Sequence, residues 1–504
     1  MRFGAQKRAI KPLSAVLILL SFLAGAAFAS QATDAIGPDA ARHLLNRTGF
    51  DAPPAQVDVI AGLSRREAAD KILAGTLKAA RTPAPAWSDE FFSPRQLRNL
   101  SDADRALYVR KQLERGRELR GWWITEMLTT PSPLTERMTL FWHNHFTSSL
   151  QKVRSSALIY RQNALLRQHA LGNFASLLKA ASKDPAMLVY LDSAVNRRGQ
   201  PNENFAREVM ELFTLGEGHY GEQDIREAAR AFTGWTLDAD TGEFAWRPGM
   251  HDGGMKTVLG RTGEFRGEEV LEILLARPET ASFVVNKLWK EFVSPDLEPA
   301  RAKRIAAAFR ESGYDIKVAL RALLVSDAFY AAKNRGTLVK SPVDLVIGTM
   351  RQFNVGYSDP LPLTLTLRAL GQDLFSPPNV KGWPGGEAWI NSTTLLARRQ
   401  FLERLFRVDE ARMQAPMAEM QRMRPNQQGN AGPNRERLMR AALEIRFSGG
   451  EWLRQFEGDA KSAALSDRLQ KVLLPVAPAS ANLVDAEGVE LIRRLTADPV
   501  YQLK

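Results

Sequence analysis

Apolar side chains recur three and four positions apart over long stretches of the chain, the spacing that gives an α-helix one buried face. Such stretches run from Asp104 to Leu128, Leu134 to Ser148, Asn204 to Thr214, Gln223 to Phe232, Glu279 to Phe292 and Asn391 to Arg407. Local signals mark further helix ends. Gly37-Pro38-Asp39 opens a helix with proline in its first turn, and Gly49 closes it after Arg47. Ser64-Arg65-Arg66-Glu67 reads as a capping box, with Gly75 after that helix. Ser341-Pro342-Val343-Asp344 places a serine cap, a proline and an early acidic residue where the helix dipole favours them. Strand-like pattern is confined to Leu237 to Trp246, around Asp240-Thr241-Gly242, and predicts one hairpin. The expected fold is mainly α, a large helical array with one small β-hairpin excursion.

The apolar period stops from Met413 to Asn434, where Met, Gln, Arg, Pro, Asn and Gly alternate. Residues 413–434 are predicted to be a disordered linker or insertion, because they cannot bury enough apolar surface to offset chain ordering. Residues 30–412 then form the main helical domain, and residues 435–504 supply helices, at about Arg435–Ile445, Ala460–Leu474 and Ala486–Thr496, that pack back on it.

Residues 1–29 have a different design. Arg2, Lys7, Arg8 and Lys11 precede an apolar run from Ala15 to Leu23, and small residues end at Ala27-Phe28-Ala29. That is the layout of a cleavable secretory signal; the run falls short of the roughly 20 residues of a membrane span. The expected location is the periplasm or the exterior, with no stable membrane span after cleavage.

The formal charge of +12 falls to +8 once the four signal cations are removed. A basic exported protein has reason to meet acidic glycans or an acidic partner. No arginine stripe with interleaved aromatics is present, so nucleic acid is not expected. The sequence has 0 cysteines, which excludes disulfides, thiol catalysis and cysteine-ligated metals and leaves His, Asp and Glu as ligands.

Candidate chemistry concentrates in a few places. In Phe141-Trp142-His143-Asn144-His145-Phe146 the two histidines, two positions apart on a helix, point away from each other and cannot share one ion. The expectation is a buried, hydrogen-bonded His145 and a partly exposed His143. Asn204, Arg207, Glu208 and Glu211 form a polar stripe on an otherwise apolar helix, and such a stripe needs internal partners if buried. Either Glu208 and Glu211 are metal ligands or an acid/base pair, with His219 on the following glycine-rich turn, or Arg207, Glu208, Glu211, Glu227 and Arg230 form a buried ionic network. The full candidate metal set is His143, Glu208, Glu211, His219, His251 and Asp252, the last two from a loop after the hairpin.

Asp192, Asn196 and Glu203 match three positions of a calcium loop poorly, since Ala194 and Arg197 replace a ligand and the usual glycine. Pro377-Pro378-Asn379-Val380-Lys381-Gly382-Trp383-Pro384-Gly385-Gly386, followed by Trp389, is a stiff loop. It either displays Lys381, Trp383 and Trp389 as a binding surface or plugs the helical core. Nucleophile elbows, phosphate loops, dinucleotide glycine patterns and HExxH helices are absent, which removes the simplest enzyme assignments.

Several of these segments occur in one order. Arg42-His43-Leu44-Leu45-Asn46-Arg47 comes first, then Leu134-Thr135-Glu136-Arg137-Met138 and Phe141 to Phe146. They are followed by Asn202-Glu203-Asn204-Phe205-Ala206-Arg207-Glu208, Thr233-Gly234-Trp235, Lys287-Leu288-Trp289, Val339-Lys340-Ser341-Pro342 and the Pro377–Gly386 loop. Together they resemble domain-of-unknown-function family 1800, over residues 38–408 and the terminal helices. The resemblance implies an exported, mainly helical protein of unknown activity. It also implies a partner, an exported sulfatase- or alkaline-phosphatase-like protein of domain-of-unknown-function family 1501. It carries no active site across. Gly221 stands where relatives have a threonine cap, which is expected to weaken the start of the next helix.

Overall fold

The computed structural model describes Met1 and residues 34–414, 444–456, 462–480 and 486–504. The signal segment beyond Met1, residues 415–434 of the predicted linker and residues 435–443 of the predicted helix after it lie outside the described residues. Among the described residues the chain forms 23 α-helices and two small two-stranded sheets. Buried apolar side chains from Ala41 to Tyr501 form one continuous core. None of the described helices is long and apolar enough to cross a membrane.

Local signals set the helix boundaries. The Gly37–Thr48 helix carries Pro38 in its first turn, and Gly49 closes it. Ser64 and Glu67 cap the Arg65–Ala74 helix reciprocally, and Ser341 and Asp344 do the same for Pro342–Gln352. At Glu222–Ala231 the missing threonine is compensated from the other side, since Gly221 N–H donates to Asp224 Oδ2 at 2.9 Å.

The expected hairpin pairs Trp235–Leu237 with Phe244–Trp246, Trp235 opposite Trp246. A second hairpin, Lys256–Val258 with Arg261–Gly263, was not legible in the pattern. Its turn places Leu259 and Gly260 at φ +50° and +78°, and leucine there lacks the usual Asn-Gly or Asp-Gly signal. Side chains of the neighbouring helix hold it: Leu259 N–H donates to Asp224 Oδ1 at 2.7 Å and Thr257 N–H to Glu227 Oε2 at 3.2 Å.

The core is tied together by buried charge. Arg47, fully buried, donates to the carbonyls of Phe292, Val293, Asn334 and Lys504 at 2.8–3.1 Å. Beside it Arg137 reaches Gly49 O, Glu291 and Asp344. Lys504 Nζ meets Asp344 at 2.8 Å, and Lys340 meets Asp51 at 3.1 Å. Burial alone would raise the Asp344 carboxyl, but Arg137 and Lys504 override it and hold it well below the usual carboxylate range. Arg47, Arg137 and Lys340, one from each of three segments that carry the family resemblance, therefore serve architecture.

Candidate functional site

The Glu203–Glu208 helix passes directly into a π-helical turn, Val209–Thr214. There N–H groups reach the fifth carbonyl back, as in Leu215 N–H to Met210 O at 2.8 Å, and the last carbonyls need other partners. His145 Nε2–H donates to Phe213 O at 3.1 Å, and Lys287 Nζ donates to Leu212 O at 3.3 Å and to His145 Nδ1 at 3.1 Å. His145 and Lys287 thus cap the turn. Burial, with Lys287 alongside, holds His145 well below its ordinary value, and burial lowers Lys287 to about 8.

His143 departs from expectation. It is 1% exposed rather than partly exposed, because the rings of Trp123, Phe375 and Trp383 enclose it at 5.4–5.7 Å. Its Nε2 is buried without a partner among the described residues.

The polar stripe also departs from expectation. Phe205, Val209, Met210 and Phe213 face the core, so the opposite side stays near solvent: Asn204 is exposed, and Arg207, Glu208 and Glu211 are half-buried. The single network expected for Arg207, Glu208, Glu211, Glu227 and Arg230 is divided. Arg207 pairs with Glu222 at 2.8 Å and Glu203 at 3.4 Å. Arg230 pairs with Glu227 at 2.9 Å and Asp252 at 2.8 Å, and its guanidinium holds the Asp252 carboxyl down at about 2.

Glu208 belongs to neither group. Among the described residues its carboxylate has no hydrogen bond or ion pair. Burial, and then the charge of Glu211, raises it above the usual range, while Lys381 and Arg207 pull the other way. Glu211 accepts from Tyr220 OH at 2.7 Å, and burial and that bond push the phenol up. Lys381 Nζ stands 3.6 Å from Glu211 and 3.3 Å from Glu217.

Lys381 is aimed by its loop. Trp383 N–H donates to Asn144 Oδ1 at 2.7 Å, and Gly382 sits at φ +81° directly over Asn144. Trp383 and Trp389 are only 4% and 7% exposed, so they plug the core and offer no flat surface to a ligand. Of the three loop candidates only Lys381 remains at the surface. A Gly382 Cβ would overlap Asn144 Oδ1 and stand 2.7 Å from its carbonyl oxygen. Gly382→Ala is therefore expected to cost about 2 to 4 kcal/mol from the positive φ and the clash together. Thermal unfolding and tryptophan emission measure it, and an unchanged melting temperature with unshifted emission would show that the loop is not seated on Asn144.

The six candidate metal ligands are not brought together. His143 is sealed behind Trp383, and His219 is exposed on its turn. His251 bonds Thr233 O through Nδ1 at 3.0 Å, and Asp252 belongs to Arg230. Among the described residues no group of three His, Asp or Glu is arranged to hold an ion. In the calcium-like loop the Asn196 amide is consumed by Ala229 O at 3.0 Å and Asn202 N–H at 2.9 Å, and Asp192 by Lys152 at 2.8 Å.

What the structure does assemble is a carboxyl pair, Glu208 and Glu211, bordered by Tyr220, Lys381 and Glu217. It draws on two segments distant in sequence, residues 208–220 and the loop that carries Lys381, and the pair can accept hydrogen bonds from a ligand or hold a proton on Glu208. Sequence reasoning missed the parts played by Asn144, Tyr220 and Lys287. Asn144 lay between two histidines that drew the attention, and its loop partner is 239 residues away.

No curated protein and no solved structure matches the chain. One family model matches residues 43–503, nearly the whole length, so the chain belongs to the family described as "protein of unknown function (DUF1800)".

Proposed function

We propose that this is an exported binding or assembly protein that engages a surface polymer or an exported hydrolase-like partner through the Glu208–Glu211 patch. The observation that carries the reading is Glu208. A half-buried carboxylate with no partner among the described residues, beside a second carboxylate, has unmet acceptor capacity that a ligand's donors can satisfy. Such a patch favours groups that donate, amines and hydroxyls, and repels anions. The basic n-region, short apolar run and Ala27-Phe28-Ala29 support export. The family-1501 protein, sulfatase- or alkaline-phosphatase-like, is the protein partner that the family resemblance suggests.

The test titrates immobilised protein with a glucosamine oligomer, a neutral glucose oligomer and a purified family-1501 protein. Glu208→Gln with Glu211→Gln should weaken the preferred ligand by about tenfold or more, the scale of one or two lost charge-assisted hydrogen bonds, with the melting temperature held. Equal binding by wild type and the double variant would overturn the assignment. Hydrolysis of a probe that Glu208→Gln alone abolishes would move it to an acid–base hydrolase, the enzyme reading that the raised Glu208 carboxyl favours.

A further inference from the structure

Away from the carboxyl pair, two helices present polar faces to one another across a cleft of about 370 Å³, within the size range of small-molecule sites. From the Gly37–Thr48 helix come Asp39, Arg42, His43 and Asn46, spaced i, i+3, i+4, i+7; from Ser462–Leu473 come Asp467, Gln470 and Lys471. Arg335, Leu474, the turn at Pro475–Pro478 and Lys504, whose ammonium is held by Asp344 at 2.8 Å, complete the walls.

Several of these groups lack a side-chain partner among the described residues. Arg335 is half-buried, and among the described residues it makes no ion pair or side-chain hydrogen bond. Lys471 likewise has no partner there. Arg42 is nearly buried and has Asp39 at 3.2 Å. Asn46 Oδ1 is buried and lacks a donor. His43 donates Nε2–H to Phe329 O at 2.8 Å, which leaves Nδ1 as an acceptor. Cations without carboxylates thus stand beside acceptors without donors, while Asp39 and Asp467 add further acceptor capacity. A bare anion satisfies only the first set, and a neutral sugar only the second.

We propose that this cleft binds a carboxylated sugar unit, a hexuronate or close chemical relative. The carboxylate would lie on Arg335 and Lys471, and ring hydroxyls would donate to Asn46 Oδ1 and His43 Nδ1. This site is independent of the Glu208–Glu211 patch, whose charge would repel the same ligand.

Calorimetric titration of the mature protein with digalacturonate, a neutral disaccharide of equal size and inorganic phosphate tests it. Digalacturonate should bind in the millimolar range or tighter, and the neutral sugar should not. Arg335→Gln should lose about tenfold in affinity, the scale of one charge-assisted pair. Lys471→Glu, at an exposed position, should lose at least as much with the fold intact. Phosphate competing as well as digalacturonate, equal binding by the neutral sugar, or wild-type affinity in both variants would each overturn the proposal.

Discussion

Replacing Arg47 by methionine is expected to lower the unfolding free energy by roughly 4 kcal/mol, a large part of the stability of many domains. Methionine matches much of the volume, so the cavity is small; the loss is in hydrogen bonds. Four carbonyls, those of Phe292, Val293, Asn334 and Lys504, accept from this guanidinium; Asn334 O also accepts from Thr337 Oγ1–H at 3.0 Å and Lys504 O from Leu338 N–H at 3.4 Å, so the full penalty, about 1 to 3 kcal/mol for each buried acceptor left unsatisfied, falls on Phe292 and Val293. Arg47→Lys should recover only part of the loss, because three donors on a single nitrogen cannot span four acceptors held by a planar fork. Urea unfolding of the two variants and wild type measures the effect. A methionine variant within about 1 kcal/mol of wild type would show that water already serves these carbonyls.

The contrast between Arg47 and Ser64 shows what could be read from the chain. Ser64 caps its helix through Glu67, three residues on, and was legible because cause and effect lie within one turn, although the Ser93–Gln96 box of the same kind was not read. In the sequence Arg47 only marked the end of its helix before Gly49. Its real partners lie 245 to 457 residues away, and no local rule reaches that far. The π-turn at Val209–Thr214 was hidden for another reason: its slip of one residue leaves the apolar spacing nearly unchanged while turning Leu212 and Phe213 carbonyls toward His145 and Lys287.

The candidate site was legible in its residues and not in its geometry. Glu208, Glu211 and Lys381 were all singled out, but a polar stripe reads the same whether it lies under another helix or along an open edge. Trp383 posed a similar choice between display and plugging. Gly382 decided it, since only glycine lets the backbone lie against Asn144 and carry the indole inward.

Buried histidines give the second large expected effect, a steep loss of stability in mild acid. His43 is pushed down to about 3 by burial and then Arg47, His143 to about 4 by burial, and His145 well below its ordinary value by burial and then Lys287. Each is neutral in the folded state and takes up a proton near pH 6.5 when unfolded. The unfolded state therefore binds more protons, and the stability present above pH 6.5 is lost as pH falls. Between pH 6.5 and 5 each costs about 1.7 kcal/mol, together about 5. Asp184 acts in the opposite sense: burial raises its carboxyl to about 7 despite bonds from Met187 N–H and Gln162. It returns about 2 kcal/mol over the same interval, and half-buried Glu208 adds a smaller share in that direction. Asp344, held below the usual range, contributes nothing until more acidic pH. The net expectation is a fall of about 3 kcal/mol, a slope of roughly one and a half protons. Urea midpoints at pH 6.5 and 5.0 read it directly, and His143→Phe should be about 1.7 kcal/mol less sensitive to acid than wild type. A flat or rising stability across that interval would mean that these imidazoles are not held neutral in the fold.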